Sequence, residues 1–240
     1  MSAPRVVSLV PSVTETLLAF GITPVACTRF CEQPGIATVG GTKNPDVPAI
    51  IDLAPDLVVM NDEENRWDDA TTLIDAGLPL HSMSPRSVHD VGTEMRALAE
   101  RVGVAVPSPF DVDEWDAWLA SMLAPRWYDA FVPVWRRPWM SLASDTYGSS
   151  LLDLLGVRNV FDDSLVRYPE VTLEEVAARA PNLILLPSEP YAFGPEHARE
   201  IGRAVEGVPI ASISGRDLFW WGIRTPAAAA RLAAAIPVRP

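Results

Sequence analysis

Carboxylate side chains are the residues in this sequence whose type and spacing could perform catalysis. Glu63 and Glu64 are adjacent in a polar run, and Glu189 lies in a second polar segment far along the chain. Carboxylates that face a substrate in a shielded cleft act as general acids and bases. Acidic runs are more often the solvated start of a helix, where negative charge complements the helix dipole. An enzyme that uses these three residues is therefore the alternative interpretation.

Other signatures of catalysis are absent from the sequence. It has no G-x-G-x-x-G or G-x-x-x-x-G-K-[ST] nucleotide motif and no G-x-S-x-G nucleophile elbow. The three histidines, His81, His89 and His197, are dispersed, whereas a bare transition metal needs several ligands held together. Cys27 and Cys31 can bind a metal or oxidise, but the favoured interpretation is one buried thiol and one loop thiol. We expect no catalytic residue and no metal site.

Aromatic side chains recur in the segments that follow the predicted strands. Phe30, Tyr147 and Tyr168 lie in three such segments, and Trp220 and Trp221 are adjacent in another. At least one of these two tryptophans must face away from the local core. A single ring usually packs within its own domain, whereas several rings at strand ends suit a large, flat, partly apolar ligand. The pattern favours binding of such a ligand.

Short apolar runs alternate with helical patterns and position these segments. The runs include Val6–Val10 and Asp56–Met60 in the first half and Asn182–Leu186 in the second, and a capping box of Ser12 and Glu15 is predicted to open the first helix. The clearest sequence similarity between the two halves is that of APDLVVM in the first and APNLILL in the second. The alternation predicts an α/β fold of two Rossmann-like lobes with mainly parallel sheets. Ligands of such sheets bind beyond the carboxyl ends of the strands, so functional residues are expected there.

A single long helix over Asp111–Val134 is predicted to join the two halves. Trp115, Trp118 and neighbouring apolar residues recur at helical spacing. Pro125 falls inside the pattern and is expected to kink or break the helix, because proline lacks the amide hydrogen. A ligand cleft is expected between the lobes. The predicted domains are an N-terminal lobe over 1–106, the bridging helix over 107–136 and a C-terminal lobe over 137–240.

Composition and charge argue against several classes of partner. The 240-residue chain has 31 acidic and 19 basic residues, and its net charge of −12 disfavours nucleic acid and anionic membranes. Its hydrophobic content of 48% is sufficient for packed cores. The sequence has no run of about 18 apolar residues, no signal peptide and no lipid-anchor cysteine. As written it predicts a cytoplasmic protein, or an extracytoplasmic one if a leader has been removed.

Several segments, in order along the chain, resemble a known family. PRVVSLVPSVTETLLAFG, ITPVACTRFCEQP, VGGTKNPD and APDLVV resemble the first lobe of class III substrate-binding proteins of ABC importers, which are two-lobed and helix-bridged. YGSSLLDLLGVRNVF, RYPEVTLEEVAARAPNLILL and WWGIRTPAAAARLAAAI are similar to the second lobe. Within the family the resemblance is nearest to the vitamin B12-binding proteins and helical backbone metal receptors. It implies a receptor for cobalamin, haem, a ferric siderophore or a metal.

The resemblance implies roles for individual residues. Pro11 and Ser12 match the first cleft-facing turn, and Phe30 falls in a loop that carries aromatic residues near the ligand. Asn61 stands where the cobalamin binders have a tryptophan that stacks on the corrin, which is a departure from the pattern. Trp220 matches a cleft tryptophan of the second lobe. Of the two tryptophans, the one in the second lobe is therefore expected to be retained and the one in the first lobe to be absent.

These observations predict a non-catalytic binding protein that holds a corrinoid, tetrapyrrole or chelated-metal ligand between two lobes. The runs at 62–66 and 187–193 depart from the cobalamin-binding pattern, so cobalamin, haem and an iron chelate all stay open. A monomer is expected, with an ABC permease as partner, no nucleic acid and no membrane span. The alternatives are the enzyme described above and a cytoplasmic storage or interaction protein without a transporter. The predicted ligand-binding residues are Pro11, Ser12, Phe30, Asn61, Glu63, Glu64, Arg66, Tyr147, Arg167, Tyr168, Glu189, Tyr191, Trp220 and Trp221.

Overall fold

The computed structural model describes residues 3–237 and divides into two compact units. Unit 1 comprises Met1–Pro85, Val91–Trp115 and Trp221–Ile223. Unit 2 comprises Arg86–Asp90, Asp116–Trp220 and Arg224–Pro240. No helix within residues 3–237 is both long and apolar enough to cross a bilayer.

Unit 1 is built on a five-stranded parallel sheet. Its strands are β1 (Val6–Ser8), β2 (Ala26–Cys27), β3 (Ala37–Thr38), β4 (Leu57–Met60) and β5 (Leu80–Ser82). They follow the order β3–β2–β1–β4–β5, and every residue of β1 and β4 is buried. Continuous burial is expected for central parallel strands that are covered on both faces. Val7 and Val58 of these strands pack with Ile50 and Leu73 in the core.

Helices follow the strands of the first half. They are α1 (Pro11–Ala19), α2 (Val47–Asp52), α3 (Trp67–Asp75), α4 (Asp90–Val102) and α5 (Val112–Met122), with a 3₁₀ turn at Arg29–Cys31. The predicted capping box is wrong, because the helix begins at Pro11 and Val10 is its N-cap without a side-chain hydrogen bond. Proline is suited to this position, since the first helical amide has no partner in the helix. The hydroxyl of Thr16 donates instead to the carbonyl of Ser12 at 2.9 Å.

Unit 2 contains a four-stranded parallel sheet and a small antiparallel one. The strands are β6 (Tyr128–Phe131), β7 (Pro133–Trp135), β8 (Trp139–Ser141), β9 (Val157–Asn159), β10 (Glu170–Val171), β11 (Leu183–Pro187) and β12 (Ile210–Ile213). The parallel sheet has the order β12–β11–β6–β9, and the antiparallel sheet has the order β10–β8–β7. The helices are α6 (Tyr147–Leu154), α7 (Leu173–Ala178), α8 (Pro195–Ala204), α9 (Gly215–Phe219) and α10 (Thr225–Ala235). The predicted α/β fold with mainly parallel sheets is confirmed.

The predicted long helix over residues 111–134 is wrong in its second half. Helix α5 ends at Met122, and strand β6 begins at Tyr128 with Pro125 between them. Proline cannot donate the hydrogen bond that would carry the helix onward. Beyond it, β6 pairs in parallel with β9 on one side and β11 on the other. The backbone groups of this segment are therefore satisfied by strands that come much later in the sequence.

Candidate functional site

The carboxyl ends of the parallel strands form one edge of each sheet, where a ligand of an α/β protein binds. In unit 1 this edge carries the segments after β1, β2 and β4, and in unit 2 it carries those after β9, β11 and β12. The predicted residues in unit 1 are Pro11, Ser12, Phe30, Asn61, Glu63, Glu64, Arg66 and Trp221. Those in unit 2 are Tyr147, Arg167, Tyr168, Glu189, Tyr191 and Trp220.

The side chain of Asn65 ties three loops of unit 1 together. Its amide nitrogen donates to the carbonyl of Thr42 at 2.9 Å and, at 3.4 Å, to the carbonyl of Leu9. Its amide oxygen accepts the backbone N–H of Asn61 at 2.8 Å. The residue is buried at 7% exposure. Since a buried amide must have its hydrogen bonds met inside the protein, Asn65 fixes the positions of these loops relative to one another.

Asn61 has a structural role rather than the predicted ligand contact. Its side-chain oxygen accepts the backbone N–H groups of Glu63 at 2.8 Å and Glu64 at 3.0 Å. Its amide nitrogen donates to the carbonyl of Met83 at 2.7 Å, and the residue is buried at 5% exposure. This geometry is an Asx turn, in which the side chain replaces a backbone partner. Asn61 therefore shapes the loop that follows β4.

The charged residues of this loop are exposed or half-buried. Glu63 and Glu64 are half-buried, and the carbonyl of Glu63 accepts a hydrogen bond from Lys43, the single lysine of the chain. Arg66 lies 3.7 Å from Asp68 in an exposed ion pair. Such pairs contribute little to stability because water and salt screen them. The loop therefore presents both signs of charge beside the carboxyl end of β4.

Phe30 is an exposed ring at the carboxyl end of β2. It lies in the 3₁₀ turn that follows this strand and is 48% exposed. The guanidinium of Arg29 lies 4.8 Å from the centre of its ring. A Cβ atom on Gly41 would be 3.2 Å from the same ring, so the glycine permits the loop after β3 to approach closely. The ring of Phe30 therefore lies at the surface of this turn, and its contact with a ligand stays a prediction.

Trp67 is an exposed ring that the sequence analysis did not include among the predicted site residues. It is the first residue of α3, directly after the polar loop that follows β4, and it is 80% exposed. A large aromatic ring is normally buried because its transfer out of water is favourable. The signal available in the sequence was its position at the end of that polar run. Unit 1 therefore presents two exposed rings, Phe30 and Trp67, in segments that follow strands of the same sheet.

Pro11, Ser12 and Trp221 are buried in unit 1 instead of being displayed to a ligand. Trp221 is 6% exposed and precedes Gly222, whose φ of 103° is unfavourable for other residues. The next amide, of Ile223, donates to the hydroxyl of Thr16 at 3.2 Å. Burial gives Trp221 a packing role, and it corrects the prediction that this ring contacts the ligand.

Cys27 lies in β2 and Cys31 in the 3₁₀ turn that follows it, as the expectation of one buried thiol and one loop thiol implied, but the loop thiol is buried as well. Cys27 and Cys31 are free and are 1% and 5% exposed. The sulfur of Cys31 lies 3.1 Å from the hydroxyl of Thr14 and 3.3 Å from that of Thr28. Burial, with a smaller effect of the neighbouring Cys31, raises the pKa of Cys27 to about 12. The two thiols pack beneath the turn that carries Phe30, and Cys27 stays protonated at neutral pH.

Tyr147 is an interior residue of unit 2. It is 6% exposed at the start of α6, and its hydroxyl lies 3.1 Å from the hydroxyl of Thr225. Burial raises the pKa of this phenol well above its usual value. The structure therefore gives Tyr147 a packing role, in which its hydroxyl links α6 to the start of α10.

Arg167 and Tyr168 lie in the loop that follows β9, as expected. Arg167 lies 3.9 Å from the carboxylate of Asp145, and the guanidinium of Arg86 lies 3.1 Å from the same carboxylate. The carbonyl of Arg167 accepts the N–H of Ala143 at 2.8 Å. Tyr168 is half-buried. The loop is therefore fixed beside the N-terminal end of α6 by backbone and charged contacts.

Tyr191 belongs to an aromatic cluster rather than standing alone. Its ring centre lies 4.9 Å from that of Phe193 and 5.4 Å from that of Trp135. Its hydroxyl lies 3.3 Å from Nε2 of His197, whose Nδ1 accepts the N–H of Gly194 at 2.9 Å. The half-buried tyrosine is thus surrounded by rings of its own unit, and the exposed ring of the cluster is Trp135, at 45% exposure.

Trp220 is half-buried and lies between charged residues at the end of α9. The guanidinium carbons of Arg216 and Arg224 lie 4.9 Å and 5.1 Å from its ring centre. Arg216 also lies 3.4 Å from the carboxylate of Glu189, in the loop after β11. These contacts bring together the predicted residues Glu189 and Trp220, and they add two arginines that sequence reasoning missed.

Within residues 3–237, no group of three histidine, cysteine, aspartate or glutamate side chains is placed to hold a metal ion. The residues at the sheet edges instead offer flat rings, guanidiniums and a few carboxylates. Rings bind flat apolar surfaces, and guanidiniums bind the polar edges of a ligand. The arrangement is suited to binding an organic ligand.

A family model described as "Periplasmic binding protein" matches residues 6–200. Among curated proteins, the vitamin B12-binding protein of Salmonella choleraesuis (strain SC-B67) is 27% identical over 195 residues, which cover 77% of this chain and 73% of that protein. The vitamin B12-binding protein of Vibrio cholerae serotype O1 (strain ATCC 39541) is 25% identical over 205 residues, which cover 80% of this chain and 73% of that protein.

Solved structures have the same fold. The periplasmic haem-binding protein HutB of Vibrio cholerae superposes with a TM-score of 0.80 at 19% identity, over 97% of this chain and 98% of that one. The periplasmic vitamin B12-binding protein BtuF of Vibrio cholerae superposes with a TM-score of 0.78 at 20% identity, over 97% and 96%. Binding proteins for two different macrocycles therefore share this architecture.

Proposed function

Because the chain belongs to the periplasmic binding protein family, we propose that it is a non-catalytic binding protein for a corrinoid or haem-like ligand. The membership rests on a match to residues 6–200, and it agrees with the family resemblance of the sequence. The relatives named above are binding proteins for vitamin B12 and haem. Both of those ligands are large, flat macrocycles.

The observation that carries the proposal is the exposure of Trp67 and Phe30 in segments that follow strands of one sheet. At 80% and 48% exposure, both rings leave apolar surface in water that a macrocycle would cover. Flat rings stack on flat ligands with a gain beyond simple burial of area. The hydrogen bonds of Asn61 and Asn65 hold the loops near Trp67 in place before binding, which lowers the entropic cost of association.

The experiment is a titration of the purified protein with cobalamin, cobinamide and haem, followed by tryptophan fluorescence and ligand absorbance. One of these ligands is expected to bind saturably. Trp67→Ala should weaken that binding by about tenfold, because a stacked ring contributes about 1.5 kcal/mol. Phe30→Ala should act in the same direction with a smaller effect.

The matched control is Trp127→Ala. Trp127 is 45% exposed in unit 2, just before β6, so it lies at the amino end of a strand of its own sheet, whereas the proposed contacts follow the carboxyl ends of strands in unit 1. Its removal should leave the affinity unchanged. Equal losses in Trp67→Ala and Trp127→Ala would show that the effect is not specific to the proposed surface.

We further propose that the protein works outside the cytoplasm and delivers its ligand to an ABC permease. The support is the family membership and the periplasmic location of the structural neighbours. Fractionation of cells that produce the protein from its native gene should place it outside the inner membrane. Recovery only with cytoplasmic markers would contradict this proposal and favour the alternative of a cytoplasmic storage protein.

A further inference from the structure

Unit 2 contains a pocket of about 370 Å³ at the amino ends of β6 and β9. Met122 at the end of α5 and Leu155 at the end of α6 line it, together with Ala233 and Ile236 at the end of α10. The 45% exposed ring of Trp127 forms part of the wall just before β6. The pocket therefore lies at the edge of the sheet opposite to the carboxyl ends of its parallel strands.

Hydrogen bonds hold the segment between α5 and β6 against the end of α6. The N–H of Ala124 donates to the carbonyl of Leu154 at 3.0 Å, and that of Trp127 donates to the carbonyl of Gly156 at 2.8 Å. Gly156 has a φ of 78°, and a Cβ there would clash with the carbonyl oxygen of Pro125 and lie 2.9 Å from the ring of Trp127. Glycine permits this close approach, so the wall that carries Trp127 is formed before a ligand binds.

The two hydroxyl groups that line the pocket already have acceptors within the protein. The hydroxyl of Tyr128 donates to the carbonyl of Pro237 at 2.8 Å, which ties the end of α10 to β6. The hydroxyl of Ser121 donates to the carbonyl of Trp118 at 2.7 Å. A strongly polar ligand would lose its hydrogen bonds to water here without equivalent replacements. The lining therefore favours an apolar ligand.

Among the described residues, none with a charged side chain lines the pocket. The charged residues that flank Trp127 and Tyr128 in the sequence are paired with one another. Asp129 accepts hydrogen bonds from the guanidiniums of Arg126 and Arg158, the second at 2.9 Å. Burial of an ionic group without a partner is costly, so the pocket favours a ligand without charge.

The volume and shape of the pocket limit the size of its occupant. Apolar cavities of about 150 Å³ bind benzene, so this pocket of about 370 Å³ has room for a molecule of about two fused rings. A tetrapyrrole, with four rings and their bridges, exceeds it, so Trp127 takes no part in the proposed macrocycle binding. Nine of the described residues line the pocket, whereas a protein interface engages about 20–30 residues on each side. A small molecule therefore fits it better than a protein surface does.

We propose that this pocket is a second binding site, which takes a small, neutral, aromatic molecule of about two fused rings. Its rings pack against the indole of Trp127, since flat rings attract one another beyond simple burial of area. The site does not depend on the proposed function, because its lining residues lie at the amino ends of strands in unit 2. Failure of either claim leaves the other in place.

The first test titrates the unmodified protein with 2-naphthol, naphthalene-2-sulfonate and 1-decanol, followed by ligand-detected NMR. The neutral naphthol is expected to bind saturably and at least about tenfold more tightly than the sulfonate, whose charge would be buried without a partner. It should also bind more tightly than 1-decanol, because a flexible chain loses more conformational freedom on binding. Equal affinity for naphthol and sulfonate, tighter binding of 1-decanol, or no saturable binding of naphthol would overturn the proposal.

The second test locates the bound naphthol with two matched variants of α10. Ala233 and Ala234 are both exposed, but only Ala233 lines the pocket. Ala233→Leu fills part of the pocket and should weaken naphthol binding at least about tenfold, whereas Ala234→Leu should leave it unchanged. Both variants are expected to fold, because leucine favours helix and the positions are exposed. An equal effect of the two substitutions, or no effect of Ala233→Leu, would contradict the site.

Two further measurements complete the test. If Ala233→Leu does not fold, Ser121→Leu decides, because Ser121 is an exposed lining residue of α5. Sedimentation of the unmodified protein checks the other possible occupant, a second copy of the chain, and a single monomeric species is expected. A concentration-dependent dimer that Ala233→Leu abolishes would assign the pocket to self-association and overturn the proposal.

Discussion

The backbone N–H of Asn61 donates a 2.8 Å hydrogen bond to the side-chain oxygen of Asn65. The oxygen of Asn61 in turn accepts the N–H groups of Glu63 and Glu64. These two buried amides fix the loop between β4 and α3, where Trp67 begins the helix. The hydrogen bonds of Asn61 and Asn65 therefore fix the loop from which the exposed ring of Trp67 extends.

Asn65→Ala should lower the free energy of unfolding by about 1–3 kcal/mol, because backbone groups of Asn61 and Thr42 lose a buried partner. Urea unfolding followed by circular dichroism measures this change. Asn44→Ala is the control, since Asn44 is exposed in a neighbouring loop. Equal stability of the two variants would contradict the role given to Asn65.

Gly222→Ala should destabilise the protein more than Gly103→Ala. Both glycines have positive φ, 103° and 73°, so both substitutions incur backbone strain. Only at Gly222 would the added Cβ also clash, at 2.5 Å from the hydroxyl oxygen of Thr16, whereas nothing lies within 4 Å at Gly103. Melting temperatures compare the two directly. A larger loss for Gly103→Ala would show that the packing of Trp221–Ile223 is not as tight as described.

His81 is expected to reduce stability in mild acid. Its Nε2 is buried without a hydrogen-bond partner in the described part of the chain. Burial, with a smaller effect of Arg101, lowers its pKa in the folded state below 6.5. The unfolded chain then binds more protons between the two pKa values, so stability falls as pH drops through about 6.5 and levels off below the folded pKa.

Denaturant unfolding between pH 8 and pH 5 measures the contribution of His81. His81→Gln should make the loss of stability on acidification smaller than in the unmodified protein. His89→Gln serves as the matched control because His89 is exposed. An identical pH dependence in the unmodified protein and in His81→Gln would refute the assignment.

The two thiols should resist alkylation while the protein is folded. Cys27 has a pKa of about 12, and both sulfurs are buried, whereas the thiolate is the reactive form. Iodoacetamide at pH 8 is expected to leave the native protein unlabelled and to modify both cysteines in urea, as read by mass spectrometry. Rapid labelling of the native protein would show that the segment around Phe30 opens readily.

The sequence predicted the architecture well because apolar periodicity reports directly on strands and helices. The runs around Val6–Ser8 and Leu57–Met60 are buried strands, as their continuous apolar character indicated. The helix over 111–134 was wrong because aromatic residues around Tyr128 suit either structure locally. Its strand state is decided by pairing with β9 and β11, which lie far along the chain.

The candidate site was predictable as a set of loops but not residue by residue. The buried hydroxyl of Tyr147 lies within hydrogen-bond distance of the hydroxyl of Thr225, and the side-chain amide of Asn61 donates a hydrogen bond to the carbonyl of Met83. Such partners are distant in sequence, so spacing alone gives no sign of them. Trp67 was missed because only the folded structure shows that its ring is 80% exposed.

The most direct test of the central claim is the stoichiometry and affinity of haem and cobalamin binding to the unmodified protein, measured by equilibrium dialysis with absorbance detection. The proposed function predicts saturable binding of one of these macrocycles by the folded protein, and loss of most of that affinity in Trp67→Ala. No saturable binding of either ligand at concentrations up to the solubility of each would contradict it.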